Sequence, residues 1–251
     1  MLALDSKVAL ITGGTGGIGS AVAVELARRG MDLALNGFSA NHEMAACVRS
    51  RVESLGRRCC LIAADVGVPA EARRCVEDAF ECYGRLDVLV HCAGGPAAGS
   101  LLDVSEKDWY RAFDVHVHAV FHLCRAVVSL MRGNGGGAIV LVSSAAGTRG
   151  CSGAIAYGVA KGAIPQFTRS LARELADDNI RVNCVCPGVI RTPFQDMLTQ
   201  EQIRDNIERR IPLHREGTPE DVAEVIALLV TNQFTTGETV AVDGGMTMRM
   251  P

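Results

Sequence analysis

No Cys-x-x-Cys pair occurs in the sequence, although ten of its 251 residues are cysteine. Zinc centres and redox dithiols draw on such close pairs. Cys47, Cys59, Cys60, Cys75, Cys82, Cys92, Cys124, Cys151, Cys184 and Cys186 are therefore expected as reduced thiols, mostly buried as small apolar side chains. Cys151 is set apart by lying near the residues that carry the chemistry below. An excess of one charge is also missing. The net charge is -3 with 21% charged residues, which gives no basic surface for nucleic acid or an anionic membrane and points to a small partner. The start, MLALDSKVALITGG, has no basic stretch ahead of an apolar core. No apolar run reaches the roughly 18 residues of a membrane helix, so the expected location is the cytoplasm. Repeats and long linkers are lacking, and RGNGGGA at 132–138 reads as a helix stop and turn rather than a boundary. One domain over residues 1–251 follows.

What is present is an alternation of short apolar runs with longer amphipathic segments. VALIT precedes Gly17 to Arg29, DLALN precedes Ala40 to Leu55, CCLIAAD precedes Pro69 to Tyr83, and LDVLVHCAG precedes Ser105 to Met131. AIVLVSS, a helix from about Ser152 to Ala176, IRVNCVCPG, helical material from Pro193 to Arg210, a helix from Pro219 to Val230 and ETVAVDGG complete the series. This rhythm predicts an α/β, doubly wound sheet of seven parallel strands with helices on both faces.

Two motifs add chemistry to that frame. ITGGTGGIGS follows the first strand and opens a helix, so Gly13, Gly17 and Gly19 can bring backbone close to a pyrophosphate at a positive helix N-terminus. An acidic or basic residue that would read the adenosine ribose about 20 positions further on is absent; that place holds Asn36, Gly37, Phe38 and Ser39. The second motif is Ser144 at the end of its strand, Tyr157 and then Lys161, with tyrosine and lysine at i and i+4 on one helix face. A phenol of pKa about 10 needs a neighbouring cation to exchange protons at neutral pH, and Lys161 is placed to supply it.

The TGxxxGxG spacing together with Ser144, Tyr157 and Lys161 resembles the short-chain dehydrogenase/reductase family over nearly the whole chain. Among its members the sequence looks most like 3-oxoacyl-[acyl-carrier-protein] reductases, 3-hydroxybutyrate dehydrogenases and sugar dehydrogenases. The resemblance implies a Rossmann-type fold and an NAD(P)-dependent oxidoreductase that moves hydride between nicotinamide and a secondary alcohol or ketone. It implies that Tyr157 exchanges the proton with the substrate oxygen, Ser144 bonds that oxygen, and Lys161 also holds the nicotinamide ribose. Cofactor contacts implied in the same way are Gly13, Thr15, Gly17, Ile18 and Gly19 in the loop, Gly37 and Phe38 after the second strand, and Asp65 and Val66 beside the adenine. Cys92, Ala93 and Gly94 in HCAG, and Pro187, Gly188, Val189, Ile190 and Thr192 in PGVIRT, complete them, with Asn183 steadying the last stretch. LNGF resembles NAD-dependent hydroxybutyrate dehydrogenases and favours NAD, while Ser39 and Ala40 leave a neutral pocket for NADP open. A substrate lid at about 193–212 and a homotetramer built on 105–131, 152–176 and a tail carrying Met246, Met248 and Met250 are further implications.

The chain departs from the family at three places. The family asparagine of NNAG is replaced by His91, read as structural, and Ser143 beside the catalytic serine faces the other side of its strand and is read the same way. DVHVHAVFHL carries His116, His118 and His122, and His116 stands where the family has the asparagine of a proton relay. Successive helical residues point about 100° apart, so the three do not converge on a metal, and no metal is expected. His116 either takes over the relay, bonding a carbonyl and a water and titrating near neutrality, or leaves it lapsed. Pro165 removes the N–H that would bond the Lys161 carbonyl and is expected to kink that helix. Arg204, Arg209 and Arg210 in the lid read as solvated charges. These departures keep one alternative open, a nucleotide-binding family member without turnover that acts as an interaction or regulatory subunit.

Overall fold

Each predicted apolar run becomes a strand in the computed structural model, which describes residues 4–38, 42–195 and 198–248. Ser39, Ala40, Asp196, Met197 and Met250, named above or within the lid, lie outside the described residues. The strands are β1 (Val8–Thr12), β2 (Asp32–Gly37), β3 (Cys59–Ala63), β4 (Val88–His91), β5 (Gly137–Val142), β6 (Ile180–Pro187) and β7 (Thr239–Val242). They form one parallel sheet in the order β3-β2-β1-β4-β5-β6-β7. The order reverses between β1 and β4, and open α/β sheets bind ligands at the carboxyl ends of strands where this happens.

Helices α1 (Gly17–Arg28), α2 (His42–Ser54) and α9 (Pro219–Thr231) cover one face. Helices α3 (Pro69–Tyr83), α5 (Ala119–Gly133) and α7 (Ile155–Glu174) cover the other. Within β1 the side chains alternate: Ala9 and Ile11 join Val22, Leu26, Ile226 and Val230 on the first face, and Val8 and Leu10 join Val76, Leu123, Val127 and Ile164 on the second. Each of these buried valine, leucine and isoleucine side chains contributes about 1.5–3 kcal/mol. Local chemistry sets the helix ends. Pro69 opens α3 and the left-handed Gly84 closes it, and Thr218 with Asp221 makes a capping box for α9.

The predicted long helix at Ser105 to Met131 is α4 (Glu106–Phe113) running into α5 through a wider π turn at Asp114–His118. By length and composition the run Glu106–Gly133 could cross a membrane. Its apolar residues Leu123, Val127 and Met131 are fully buried against the sheet, as in a core helix. Helix α7 runs unbroken through Pro165. The short helix α6 (Ala145–Thr148) follows β5, and the segment expected as a lid holds a 3-10 turn at Pro193–Gln195, α8 (Gln200–Asp205) and a π turn at Asn206–Arg210. One expectation is corrected: Cys60 on β3 and Cys82 on α3 form a disulfide rather than two free thiols. They are 22 residues apart, and only the packing of α3 on the edge strand brings them together.

Candidate active site

The glycine loop is shaped by contact with its neighbour across the switch point. Gly13 has φ +66°, and a Cβ there would sit 2.8 Å from the Ala93 nitrogen, so the loop after β1 presses on the loop after β4. Gly16 caps α1 without any side-chain bond, which leaves backbone N–H groups to face an anion. Thr192 from the PGVIRT turn reaches the same place, its Cγ2 3.7 Å from where Gly17 would carry a Cβ. Gly188 donates its N–H to Val242 at 3.0 Å, and Asn183 ties β6 to the β7 approach through Thr235 and Glu238 at 2.9 and 3.1 Å. The cradle fits a dinucleotide from its pyrophosphate to its carboxamide end.

Beyond the loop, Asn36 is buried and donates to the Ile62 and Ala64 carbonyls at 3.2 and 3.0 Å, so it braces β2 against β3. Phe38 is 71% exposed. Asp65 accepts from the Gly67 N–H and from Arg111, both at 2.9 Å, and the Arg111 guanidinium stands 5.7 Å over the Phe38 ring. Arg111 escaped the sequence reading because α4 delivers it from 46 residues away with no motif to announce it.

Ser144, Tyr157 and Lys161 converge at the ends of β5 and α7. Ser144 caps α6, its Oγ accepting the Ala146 N–H at 3.1 Å, and it also hydrogen-bonds the Tyr157 phenol. Lys161 is 5% exposed and donates from Nζ to the Val142 carbonyl at 2.8 Å, 5.8 Å from the centre of the Tyr157 ring. Burial pushes the lysine down to about 8, with the sulfurs of Cys184, Cys92 and Cys186 opposing. Burial pushes the Tyr157 phenol up, and the Ser144 bond opposes that. The protein's own groups therefore do not lower the phenol on balance, contrary to the effect expected from Lys161 alone.

A sequence profile of the family described as Enoyl-(Acyl carrier protein) reductase matches residues 13–247. The "Dehydrogenase/reductase SDR family member 4" of Oryctolagus cuniculus is 36% identical over 254 residues, covering 98% of this chain and 96% of the relative. The chain belongs to the short-chain dehydrogenase/reductase family, an oxidoreductase family. Two solved family structures match it in three dimensions. L-sorbose reductase from Gluconobacter frateurii, complexed with NADPH and L-sorbose, has a TM-score of 0.91 at 30% identity, covering 99% of both chains. A blue fluorescent protein from a metagenomic library, in complex with NADPH, has a TM-score of 0.89 at 35% identity over 98% of this chain and 99% of that one.

Within this family frame the histidines part company. His91 Nδ1 shares a 2.8 Å hydrogen bond with Thr12 Oγ1, joining β4 to β1 as a brace. His116 turns inward, its ring edge-on to Tyr157 at 5.4 Å, with Nε2 3.1 Å from the Gly95 carbonyl. A carbonyl only accepts, so Nε2 carries the hydrogen; Nδ1 is buried with no hydrogen-bond partner among the described residues and lies against Gly94, whose added Cβ would come 2.8 Å from it. Burial first, then the Lys161 charge, pushes His116 down to about 2. The expectation that it titrates near neutrality is corrected on that ground. His118 is exposed and bonds Asp114 at 3.0 Å, and His122 lines a groove between α3 and α5 beside Arg73 and Arg125. Among the described residues no cluster of three or more metal-type ligands occurs. In the lid, Arg209 lies 3.7 Å from Asp205 and Arg210 bonds Asn206 at 2.7 Å, while Arg191 pairs with Glu216 at 3.1 Å. Cys151 is exposed.

Proposed function

We propose that the chain is an NAD(P)-dependent oxidoreductase acting on a secondary alcohol or its ketone. The observation that carries the reading is the convergence of Ser144, Tyr157 and Lys161 at the carboxyl end of the sheet, next to a glycine cradle shaped for a dinucleotide. When bound, the nicotinamide supplies or accepts the hydride. Ser144 donates a hydrogen bond to the substrate oxygen, Tyr157 exchanges its proton with that oxygen, and Lys161 beside the phenol stabilises the charge that develops there. Gly13, Thr15, Gly17, Ile18 and Gly19 hold the pyrophosphate, Asp65 and Val66 the adenine, Ala93 and Gly94 the adenosine ribose, and Val189, Ile190 and Thr192 the carboxamide. His116 orients the tyrosine ring and bonds Gly95 as a neutral imidazole.

For the nucleotide, the Arg111 guanidinium provides at the adenosine end the positive charge that residues 36–38 lack. That suits a 2′-phosphate, and NADPH is the nucleotide named with both solved relatives. The preference for NAD drawn from LNGF finds no comparable support. We further infer a cytoplasmic homotetramer, with exposed Phe121 on α5 and Val159 on α7 suited to a contact between copies. The reading as a subunit without turnover gains nothing from these observations, since the catalytic group is intact. Screening secondary alcohols and 3-oxo esters by the absorbance of the reduced nicotinamide, with both nucleotides, tests the proposal; a chain that binds nucleotide and turns over none of them would sink it.

A further inference from the structure

A proline in the helix that carries a catalytic lysine leaves one carbonyl without its ordinary partner. In an α-helix the carbonyl of residue i accepts from the N–H of i+4, and for Lys161 that residue is Pro165, which has none. The carbonyl is nevertheless bonded: Ser143 Oγ donates to it at 2.7 Å, in a buried contact between β5 and α7. The preceding strand residue, Val142, accepts the Lys161 ammonium at 2.8 Å. Val142, the last residue of β5, and Ser143 just after it therefore hold the lysine at its two ends, one at Nζ and one at the main chain. The contact is closed from the α6 side by Gly147, where a Cβ would sit 2.7 Å from the Lys161 oxygen and 2.6 Å from its carbon.

We infer that Ser143 and Pro165 form a matched pair that positions Lys161: the proline frees the lysine carbonyl, and the serine hydroxyl takes it and fixes the helix register against the strand. The inference rests on the proposed oxidoreductase chemistry only for its effect on rate. A buried carbonyl left unbonded is costly and relaxes by moving. Here the moving residue is the one whose ammonium must stay beside Tyr157. Ser143, which alternates away from the pocket and so looks like an ordinary packing residue, acts on the reaction through Lys161. The groups facing Lys161 are Tyr157, His91, His116, Cys92, Cys184 and Cys186.

The test exploits the pairing. Ser143→Ala removes the donor, and Pro165→Ala in the same chain returns the helical N–H that can replace it. The sequence has three lysines, Lys7, Lys107 and Lys161, so lysine labelled with 13C at Cε gives three carbon signals to titrate. The expected results are a fall of about tenfold or more in kcat for Ser143→Ala and a shift of the Lys161 midpoint away from the wild-type value. Both return in Ser143→Ala/Pro165→Ala to within about threefold and a few tenths of a pH unit of wild type. Pro165→Ala alone stays close to wild type in both. A Ser143→Ala chain with unchanged kcat and midpoint, or a double variant no better than the single one, overturns the inference. Should Ser143→Ala fail to fold, the double variant must fold, and failure of both also overturns it. If wild type turns over nothing, the functional reading fails, while the lysine titration still decides the pairing.

Discussion

At the adenosine end of the crevice the charged side chains lie near the surface and pair with each other, Arg111 with Asp65 beside an exposed Phe38. At the catalytic end they are buried and hold backbone carbonyls: Lys161 holds Val142, Ser143 holds Lys161, and His116 holds Gly95. The difference teaches where function is set by electrostatics and where by position. Exposed charges can be exchanged at modest cost and tune which nucleotide is accepted. Buried groups bonded to the main chain are expensive to disturb, and removing water shifts their protonation: His91 falls to about 3, His116 to about 2 and Lys161 to about 8.

The strongest break in the comparison comes from removing chemistry while keeping shape. Tyr157→Phe is expected to lower turnover by about 10²–10⁴-fold while the nucleotide Kd moves less than about threefold, checked by steady-state rates and fluorescence titration. Acid should find the catalytic end next. Both buried histidines have folded values below the unfolded one of about 6.5, so the unfolded chain binds more protons and their contribution to stability is complete above about pH 6.5. Below that it drains away as pH falls, by about 1.4 kcal/mol per unit for each ring until the folded values are approached. His116→Asn should therefore flatten roughly half of the decline between about pH 6.5 and 4.5 in urea unfolding, and should leave the shape of the pH–rate profile between about pH 6 and 9 unchanged. A new rate inflection, or an equally steep acid decline, would contradict the burial assigned to this ring.

Smaller effects sharpen the contrast. Gly94→Ala drives a methyl group into the His116 ring and should lower stability by about 1–3 kcal/mol, partly restored by adding His116→Ala, as read by thermal melts. At the other end, Arg111→Ala should weaken NADPH about tenfold and NADH by less than about twofold, with the NADPH loss shrinking in high salt. Equal losses for both nucleotides would make Arg111 a brace for Asp65 instead of a reader of phosphate.

Much of the molecule was legible beforehand because the signals were local. Short continuous apolar runs marked the strands, and the spacing of Gly13, Gly17 and Gly19 and of Tyr157 and Lys161 placed those groups on a loop and a helix face where geometry follows from sequence distance alone. What His116 and Ser143 bond was out of reach for one shared reason. Each depends on which carbonyl lies opposite in the fold, Gly95 for one and Lys161 for the other. The same holds for the Cys60–Cys82 pair, which spacing could not announce.

By itself, then, the sequence determined the order and type of the elements, the glycine loop and the spacing of Ser144, Tyr157 and Lys161, since propensity, periodicity and short spacings act within a turn or two of chain. Only the tertiary structure decided that Arg111 pairs with Asp65 beside Phe38, that His116 is held neutral and that Ser143 takes the carbonyl freed by Pro165. Burial and hydrogen-bond partnership are properties of neighbours in space, and no spacing along the chain encodes them.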